Sequence, residues 1–309
     1  MILVVNLNAS VDKRYVLKDL VKGEVMRAVS VDNTPGGKGI HVANVAAILG
    51  EDCTATGFLG GRSGEFIADK LRDYGIPQDF VKVAGETRSC LAILTEDGAQ
   101  TEILEPGPLV SGQEQASFLH KYDELLDKAD VVAASGSLPQ GLATDFYSEL
   151  IRRAKQAGKK FLLDTSGEAL QKGIEAKPWF IKPNKEELQA LTGHTVKTEE
   201  EAAMQLRKFL QEGIQLAVVS LGAAGSLAGF AGKIYRVCVP HVEAVNPVGS
   251  GDSYVAGIAA GLVRGLSIEE ILKLAAACGT ANALEAESGF VDRAVVQALI
   301  PQIQVEEVV

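Results

Sequence analysis

Short apolar runs alternate with longer amphipathic segments along most of the chain. Five β-branched or aliphatic runs predict strands, and three segments with helical periodicity lie between them. The predicted strands are Ile2–Leu7, Val131–Ala134, Lys160–Asp164, Trp179–Lys182 and Leu216–Ser220, and the predicted helices are Gln113–Lys128, Asp145–Gln156 and Glu199–Gln211. This alternation predicts βαβ crossovers and a mainly parallel sheet covered by helices, an α/β fold.

Two stretches depart from this alternation and have no helical period. They cover about residues 12–33 and 87–104, and the second contains the turn Glu96-Asp97-Gly98 between two short apolar runs. In a doubly wound fold such segments would be extra strands away from the main sheet, and ligands bind at the carboxyl ends of the parallel strands. We expect the two stretches to pair into a small β-sheet lid over that cleft. An edge extension without a role in closure is the alternative.

The bulk composition excludes several classes of protein. The chain has 309 residues, 47% of them hydrophobic, which allows a large core. No linker or repeat divides it, so we predict one domain over residues 1–309. A net charge of −10 argues against binding to nucleic acid, which needs a basic face. No apolar stretch reaches membrane-spanning length without a charge, so we predict a cytoplasmic protein that does not act at a membrane.

Neither the cysteines nor the histidines are spaced as metal ligands. The four cysteines form no CxxC pair, which is typical of reduced thiols in a cytosolic protein. The four histidines show no HExxH spacing. We therefore expect no zinc site built from a local motif.

The segment Asn246-Pro247-Val248-Gly249-Ser250-Gly251-Asp252-Ser253 is the clearest candidate for chemistry, and it precedes an apolar helix pattern. Gly249 and Gly251 allow a tight turn with converging N–H groups, and the following helix adds its positive dipole end, so the site suits an anion. Asp252 in the first turn can accept the proton of a substrate hydroxyl during phosphoryl transfer. An acidic residue that only stabilises the helix, by roughly 0.3–1 kcal/mol, is the alternative, but it would not need the two glycines.

A second glycine cluster, Pro35-Gly36-Gly37-Lys38-Gly39, opens the helix pattern Ile40–Leu49. It matches neither GxxxxGK[ST] nor GxGxxG, so the fingerprints of the P-loop and of the Rossmann fold do not apply. Lys38 in a glycine turn at a helix start would suit an anionic group. A flexible turn with a solvated lysine is the alternative.

Several further segments are weaker candidates. Asn184 and Glu187 would share a helix face and could orient a metal-bound water, but Asn-x-x-Glu is also a good capping box. The loop Ser220–Gly225 follows a predicted strand and could border a nucleotide or simply form a hairpin. Arg27 and Arg88 could bind a phosphate in bidentate geometry or could lie in solvent.

Three motifs, in order along the chain, resemble those of the PfkB (ribokinase-like) carbohydrate kinases. Gly36-Gly37-Lys38-Gly39 and Asn246–Asp252 resemble the two family signatures, and Lys182-Pro183-Asn184-x-x-Glu187 resembles the metal-associated element. The likeness covers essentially the whole chain. It implies a three-layer α/β/α fold with a mainly parallel central sheet and a small β-sheet lid. In several family members the lids of two subunits clasp, which implies a homodimer.

The resemblance also implies a role for each matching position. Asp252 would be the catalytic base, Gly249, Ser250 and Gly251 would form the anion hole, and Asn184 with Glu187 would position Mg²⁺ through water. The positions implied for the phosphosugar are Asp12, Gly36, Gly37, Lys38, Gly39 and His41, with Lys38, Arg88 and Arg27 facing its phosphate. The positions implied for ATP are Lys182, Ser220, Gly222, Gly225 and Asn282. A monovalent cation is a further cofactor that the resemblance leaves open.

Within the family, four segments narrow the expected substrate. Asn6–Asp12 and Gly85–Cys90 resemble the hexose-phosphate branch, and Gln100–Glu105 and Val245–Asp252 resemble tagatose-6-phosphate kinases, with 1-phosphofructokinases as near neighbours. We therefore expect ATP-dependent phosphorylation of a ketohexose phosphate, with tagatose 6-phosphate giving tagatose 1,6-bisphosphate. Conversion of fructose 1-phosphate to fructose 1,6-bisphosphate is the alternative.

One position departs from the family pattern. His41 stands where the family usually has Asn, and imidazole differs from an amide in reach and charge, so the departure concerns the sugar contact. It is the one feature that favours a phosphosugar sensor without catalysis. The intact Asp252 and Glu187 favour a kinase, and a kinase for an unphosphorylated sugar would not need Lys38 and Arg88 together.

Overall fold

The computed structural model describes residues 1–193 and 195–308, in which fourteen strands and ten α-helices alternate. The strands are β1 (Ile2–Asn6), β2 (Ser10–Leu17), β3 (Ser30–Gly36), β4 (Cys53–Leu59), β5 (Val81–Lys82), β6 (Arg88–Thr95), β7 (Gln100–Leu104), β8 (Val131–Ser135), β9 (Lys160–Asp164), β10 (Phe180–Ile181), β11 (Leu216–Ser220), β12 (Ser226–Phe230), β13 (Lys233–Cys238) and β14 (Gln304–Val308). The helices are α1 (Lys38–Ile48), α2 (Gly61–Asp73), α3 (Gly112–Leu126), α4 (Phe146–Gln156), α5 (Gly167–Glu175), α6 (Lys185–Thr192), α7 (Glu199–Glu212), α8 (Ser250–Val263), α9 (Ile268–Ala283) and α10 (Arg293–Leu299).

A ten-stranded sheet forms the centre of the molecule. Its order is β14-β13-β12-β11-β10-β9-β8-β1-β4-β5. The seven strands from β11 to β5 run parallel, and β12, β13 and β14 add an antiparallel extension at one edge. The mainly parallel sheet predicted from the sequence is thus confirmed, and all five predicted strands and three predicted helices are present with ends within two residues.

Helices cover both faces of this sheet. Successive side chains of a strand point to opposite faces, and β1 divides in that way between two apolar clusters. Ile2 and Val4 pack in one cluster with α1, α8 and α9, whereas Leu3 and Val5 pack in the other with α3, α4 and α7. All four side chains are fully buried, which explains why the run has no polar alternation. The result is a three-layer α/β/α arrangement.

A separate four-stranded sheet has the order β3-β2-β6-β7. It is built from the two stretches that depart from the alternation, and the Glu96-Asp97-Gly98 turn joins β6 to β7 in an antiparallel pair. Strand β2 pairs antiparallel with β3 and parallel with β6, so Asp12 lies beside both Thr34 and Cys90. We call this sheet the lid. Its closing movement stays a prediction.

In the described part of the chain, no helix combines the length and the apolar character needed to cross a bilayer.

Candidate active site

Polar side chains gather where the parallel strands end and two helices begin. Asn6, Ser135 and Asp164 end the adjacent strands β1, β8 and β9, and all three are buried. Helices α1 and α8 start beside them, with the glycine turns predicted to bind anions at their N-termini. The carboxyl ends of parallel strands are where an open α/β sheet binds its ligands.

The N-terminus of α8 presents Asp252 together with free backbone donors. Gly249 caps the helix in the left-handed region at φ 87°, and Asp252 lies in the first turn with 6% of its surface exposed. The N–H groups of Gly251 and Asp252 have no hydrogen-bond partner among the described residues, as helix geometry requires for the first turn. These donors and the helix dipole suit an anion beside the carboxylate. The predicted anion hole and base are therefore adjacent, as the motif implied.

Asn282 on α9 holds this turn in shape from beneath. Its side-chain amide donates to the Val248 carbonyl at 2.8 Å, and its oxygen accepts from the Ser253 hydroxyl at 3.1 Å and from the Gly289 N–H at 2.9 Å. The side chain is fully buried. Asn282 therefore shapes the turn from beneath, and its neighbour Ala283 lines the cavity beside α8, so the predicted place of this region at the nucleotide stays a prediction.

His41 lies between two carboxylates. Its Nδ1 is 2.8 Å from Oδ2 of Asp252, and its Nε2 is 3.6 Å from Oδ2 of Asp12. Burial alone would lower the pKa of this imidazole, but the contacts with Asp12 and Asp252 outweigh burial and raise its pKa to about 10. The ring is therefore positively charged near neutral pH and joins the predicted sugar-binding carboxylate to the predicted base.

Asp12 owes its position to the lid and to the first glycine turn. Its Oδ1 accepts a hydrogen bond from the Ser10 hydroxyl at 2.6 Å. A Cβ at Gly36 would come within 2.0 Å of the Asp12 carboxyl carbon, so only glycine lets the carboxylate approach the turn this closely. Gly37 and Gly39 play a similar part toward Asn6, with built Cβ atoms 2.6 and 2.5 Å from its side chain.

Two lysines converge on the buried Asp164. Lys38 Nζ and Lys182 Nζ each lie 3.6 Å from one of its carboxylate oxygens. Burial opposes ionisation of Asp164, but Lys182 and Lys38 together hold its pKa below the ordinary value. The charge of Asp164 is in turn the main cause of the raised pKa of Lys38, and Asp252 and Glu187 add to it. The ammonium group of Lys38 therefore stays charged in the cleft.

Lys182 also lines a cavity beside the N-terminus of α8. Its Nζ would be 3.1 Å from a Cβ at Gly251, so it lies close to the α8 turn. The cavity has a volume of about 350 Å³. Its walls include Lys182, Ser220, Gly222, Gly225, Thr280 and Ala283. The Ser220–Gly225 loop both forms the β11–β12 hairpin and lines this cavity, so the two readings of that segment are compatible.

Another cavity lies under the lid and has a volume of about 400 Å³. Its walls include Asp12, Thr34 and Cys90 from the lid, and Asn246 and Ser288 from the central layers. The lid therefore faces the α8 turn across an open space. Asp12 lies at the inner end of that space, where it meets His41.

The two arginines predicted to face a phosphate are placed differently. Arg88 begins β6 and donates from Nε to the Asn8 carbonyl at 3.2 Å and from Nη1 to the Glu105 carbonyl at 2.9 Å. These bonds fix its guanidinium beside the cleft at the base of the lid. Arg27 lies in the exposed connection between β2 and β3, and its contact with a phosphate stays a prediction.

Asn184 and Glu187 form a capping box at the start of α6. The Asn184 side chain accepts from the Glu187 N–H at 2.7 Å, and the Glu187 side chain accepts from the Asn184 N–H at 2.9 Å. The described residues contain no group of three or more His, Cys, Asp or Glu side chains arranged to hold a metal. Mg²⁺ needs no such group, since it keeps several waters and is bound through one or two carboxylates and substrate phosphates. The unbonded Oε1 of Glu187, whose charge also acts on Lys38, fits that manner of binding.

Sequence reasoning missed two residues of this site. Asp164 ends a predicted strand, and a carboxylate at the carboxyl end of a parallel strand is a signal that could have identified it. Gly289 gave no such signal. Its backbone packs on the His41 ring, where a Cβ would lie 2.4 Å from the ring carbons, and its φ of 67° also favours glycine.

Comparison with known proteins agrees with this geometry. The sequence profile of the pfkB family carbohydrate kinases matches residues 3–292. A candidate phosphofructokinase from Staphylococcus aureus is 32% identical, with 100% of this chain and 99% of that chain covered and a TM-score of 0.86.

Two further solved structures are similar over nearly their whole length. Phosphofructokinase-2 from Escherichia coli in complex with fructose 6-phosphate is 27% identical, with 97% of this chain and 98% of that chain covered and a TM-score of 0.89. The same enzyme has also been solved in complex with potassium. A possible 1-phosphofructokinase from Thermotoga maritima is 27% identical, with 100% and 99% covered and a TM-score of 0.91.

Proposed function

The chain belongs to the pfkB family of carbohydrate kinases, and we propose that it transfers the γ-phosphoryl group of ATP to a hydroxyl group of a ketohexose phosphate. The family, the ribokinase-like fold and the class of sugar-phosphate kinase, all expected from the motifs, are confirmed by the profile and the structural likeness. The individual acceptor, the roles of single residues and the cofactors are the proposal.

The observation that carries the proposal is the geometry of Asp252. Its Oδ2 contacts His41, whereas its Oδ1 has no hydrogen-bond partner among the described residues and is not fully buried. The turn that carries Asp252 borders both cavities, one through Ser250 and Gly251 and the other through Val248. In the proposed step the acceptor O–H bond breaks and its proton passes to Oδ1. A new O–P bond forms as the bond between the γ-phosphorus and the ADP oxygen breaks.

Charge that develops on the transferred group would meet several fixed donors. The N–H groups of Gly251 and Asp252 point into the site, and the ammonium groups of Lys38 and Lys182 flank Asp164 beside it. Positioning and electrostatic stabilisation supply most of the catalysis in phosphoryl transfer. We therefore assign Lys38 to the transferred phosphoryl group rather than to the phosphate that the sugar already carries.

ATP is proposed to occupy the cavity of about 350 Å³ beside α8 and the β11–β12 hairpin. Apolar walls from Val218, Val242 and Ala283 suit an adenine ring, and Lys182 stands at the end nearest Asp252. When bound, Mg²⁺ would neutralise charge on the β- and γ-phosphates. Glu187 and Asn184 are the residues that would hold it through water. A monovalent cation stays a further candidate cofactor.

The phosphosugar is proposed to bind in the cleft under the lid. Asp12 would accept from sugar hydroxyls, and Arg88, fixed at the base of the lid by two carbonyl groups, would hold the existing phosphate. On the strength of the 100–105 and 245–252 motifs we propose tagatose 6-phosphate as the acceptor. Fructose 1-phosphate is the second candidate, because a possible 1-phosphofructokinase is among the similar structures.

The outer face of the lid supports a homodimer. The cleft-lining positions of its strands are mostly Asp12, Thr34, Cys90 and their alternate neighbours, so the intervening residues form the opposite face. That face carries an apolar row across three strands, in which Val31 pairs with Tyr15 and Tyr15 with Ile93, and Ile103 lies on the same face of β7. Val31 and Ile103 are 46% and 52% exposed. We propose that a second copy of the chain covers this face, and we keep the cytoplasmic location as a prediction.

A panel of acceptors tests the proposed function. ADP release would be measured with Mg-ATP and tagatose 6-phosphate, fructose 1-phosphate, fructose 6-phosphate, fructose or ribose. We expect turnover with one phosphorylated ketohexose and none with the free sugars. Turnover confined to a free sugar, or ATP binding without transfer to any acceptor, would contradict the proposal, the second result favouring a sensor.

The variant Asp252→Asn tests the base. We expect turnover to fall by a factor of about 100 or more, the range for loss of a general base, with ATP binding retained. Near-normal turnover in this variant would remove Asp252 from the mechanism.

A further inference from the structure

His41 is built into the site in a way that a sugar contact does not require. Its ring is 7% exposed and bridges residues that are far apart in sequence, with Nδ1 at 2.8 Å from Asp252 and Nε2 at 3.6 Å from Asp12. Both ring nitrogens thus face carboxylate oxygens, which can only accept hydrogen bonds when ionised. Nε2 lies beyond hydrogen-bond distance of Asp12, so that contact is an ion pair, and the sugar contact expected for His41 stays a prediction.

The orientation of the ring is fixed from its other side. The backbone of Gly289 packs on the ring, and a Cβ there would overlap Cβ, Cγ and Cδ2 of His41 at 2.4–2.5 Å. Gly289 is itself held at both backbone polar groups, since its N–H donates to Asn282 and its carbonyl accepts from Asn44 at 2.9 Å. Asn282 also shapes the α8 turn, so the ring and the anion hole share one support.

The carboxylates of Asp12 and Asp252 differ in which oxygen atom already has a partner within the protein. Oδ1 of Asp12 is occupied by the Ser10 hydroxyl at 2.6 Å, and Oδ2 of Asp252 is occupied by His41. Oδ1 of Asp252 has no hydrogen-bond partner among the described residues and is not fully buried. A rotation of the Asp252 carboxylate out of this plane would break the 2.8 Å contact, so the imidazole fixes the orientation of the carboxylate and the direction in which its second oxygen points.

We propose that His41 is a positioning residue for phosphoryl transfer, an imidazolium that holds the base Asp252 in register and links it to the sugar-binding carboxylate Asp12. This inference rests on the proposed function. The positive ring also cancels one of two negative charges beside the incoming phosphates. A neutral amide at this position would leave both charges in place.

The ring remains protonated across the physiological range, consistent with its pKa of about 10. The charged groups that face it are Asp12 on β2, Asp252 on α8 and Glu287 after α9. Lys38 begins α1, the helix that also carries His41, and its charge interacts with Asp252 rather than with the imidazole ring. The carboxylates therefore outnumber the cations around the ring.

Kinetics of His41→Asn separate positioning from substrate binding. With tagatose 6-phosphate, fructose 1-phosphate and fructose 6-phosphate as acceptors, we expect kcat to fall about 10–100-fold, the loss of a hydrogen bond between charged groups, with KM for ATP within about two-fold. His120→Asn, on the exposed face of α3, is the matched control and should change neither quantity.

A measurement without turnover decides the same point. In NMR spectra of the ¹³C-histidine-labelled chain, the resonance of His41 is assigned as the one that is absent from the spectrum of His41→Asn. In the wild-type chain this resonance should keep the chemical shift of an imidazolium to at least pH 9. In Asp252→Asn it should titrate at least one pH unit lower, and this variant keeps His41 in place if His41→Asn itself fails to fold.

Three results would overturn the inference. These are titration of the His41 resonance near pH 6.5 in the wild-type chain, no change of that titration in Asp252→Asn, or a His41→Asn variant altered only in KM for the acceptor. Absence of phosphoryl transfer in the wild-type chain would instead reject the proposed function, and the titration would still establish whether the bridge exists.

Discussion

The stability of the fold should fall with rising pH because of one buried histidine. The folded-state pKa of His41 is about 10, above the ordinary value of 6.5, because contacts with Asp12 and Asp252 outweigh burial. A raised pKa means that the folded state keeps a proton that the unfolded state releases. The contribution of His41 to stability is therefore fully present below pH 6.5 and is lost as the pH rises toward 10.

The size of the effect follows from the width of that window. Each pH unit over which only the folded state binds the proton lowers the free energy of unfolding by about 1.4 kcal/mol. Between pH 7 and pH 9 the free energy of unfolding should fall by about 2.5 kcal/mol, because the unfolded histidine is still partly protonated at pH 7. Above pH 9 the buried thiols of Cys53 and Cys278, whose pKa values burial raises to about 11 and about 12, add to the loss, so the comparison ends there.

Urea unfolding of the wild-type chain and of His41→Asn at pH 7, 8 and 9 measures this difference, with circular dichroism as the signal. With an m-value of about 3 kcal/mol/M, the wild-type midpoint should drop by about 0.8 M across the series. The midpoint of the variant should change much less. The exposed His120→Asn variant should follow the wild-type curve. Parallel pH dependence in wild type and His41→Asn would refute the charged bridge.

Three further outcomes follow from the site and the lid. Lys38→Ala should lower kcat about ten-fold or more with little change in the acceptor KM, whereas Arg88→Ala should mainly raise that KM; equal effects on both constants in both variants would contradict the separate roles. Gly289→Ala should lower the melting temperature more than the control Gly265→Ala, which has the same φ of 67° but open space at its Cβ, and equal losses would mean that the contact with the imidazole is not rigid. Ile103→Lys should shift the protein from dimer to monomer in sedimentation velocity, and a monomeric wild-type chain would remove the dimer proposal.

Local pattern was sufficient for the layers of the fold. The strand Ile2–Asn6 is apolar at every position but the last, and such runs between amphipathic segments indicate a buried parallel strand covered by helices. The lid was predicted only as strands that do not belong to the central sheet. Its mixed pairing, with β2 parallel to β6, depends on contacts between segments about 80 residues apart, which no local period encodes.

The candidate site, like the fold, could be predicted from the sequence only in part. Asp252 and its flanking glycines could be identified as a candidate site from the sequence. An anion-binding turn at the start of a helix needs glycines and free backbone N–H groups, and all of these lie within a few adjacent residues. Asn184 and Glu187 illustrate the limit of such motifs, since the capping box and the metal-associated element use the same spacing and the structure contains the box.

The sequence by itself determined the alternating α/β order, the glycine turns at α1 and α8, and the position of the Asp252 carboxylate beside the second turn, because each of these depends on residues close together in the chain. Tertiary structure alone decided that His41 meets Asp252 across 211 positions, that Lys38 pairs with Asp164, and that Gly289 closes over the imidazole. These contacts join separate strands and helices, and their distances depend on how the layers pack. A pattern of neighbouring residues carries no information about such packing.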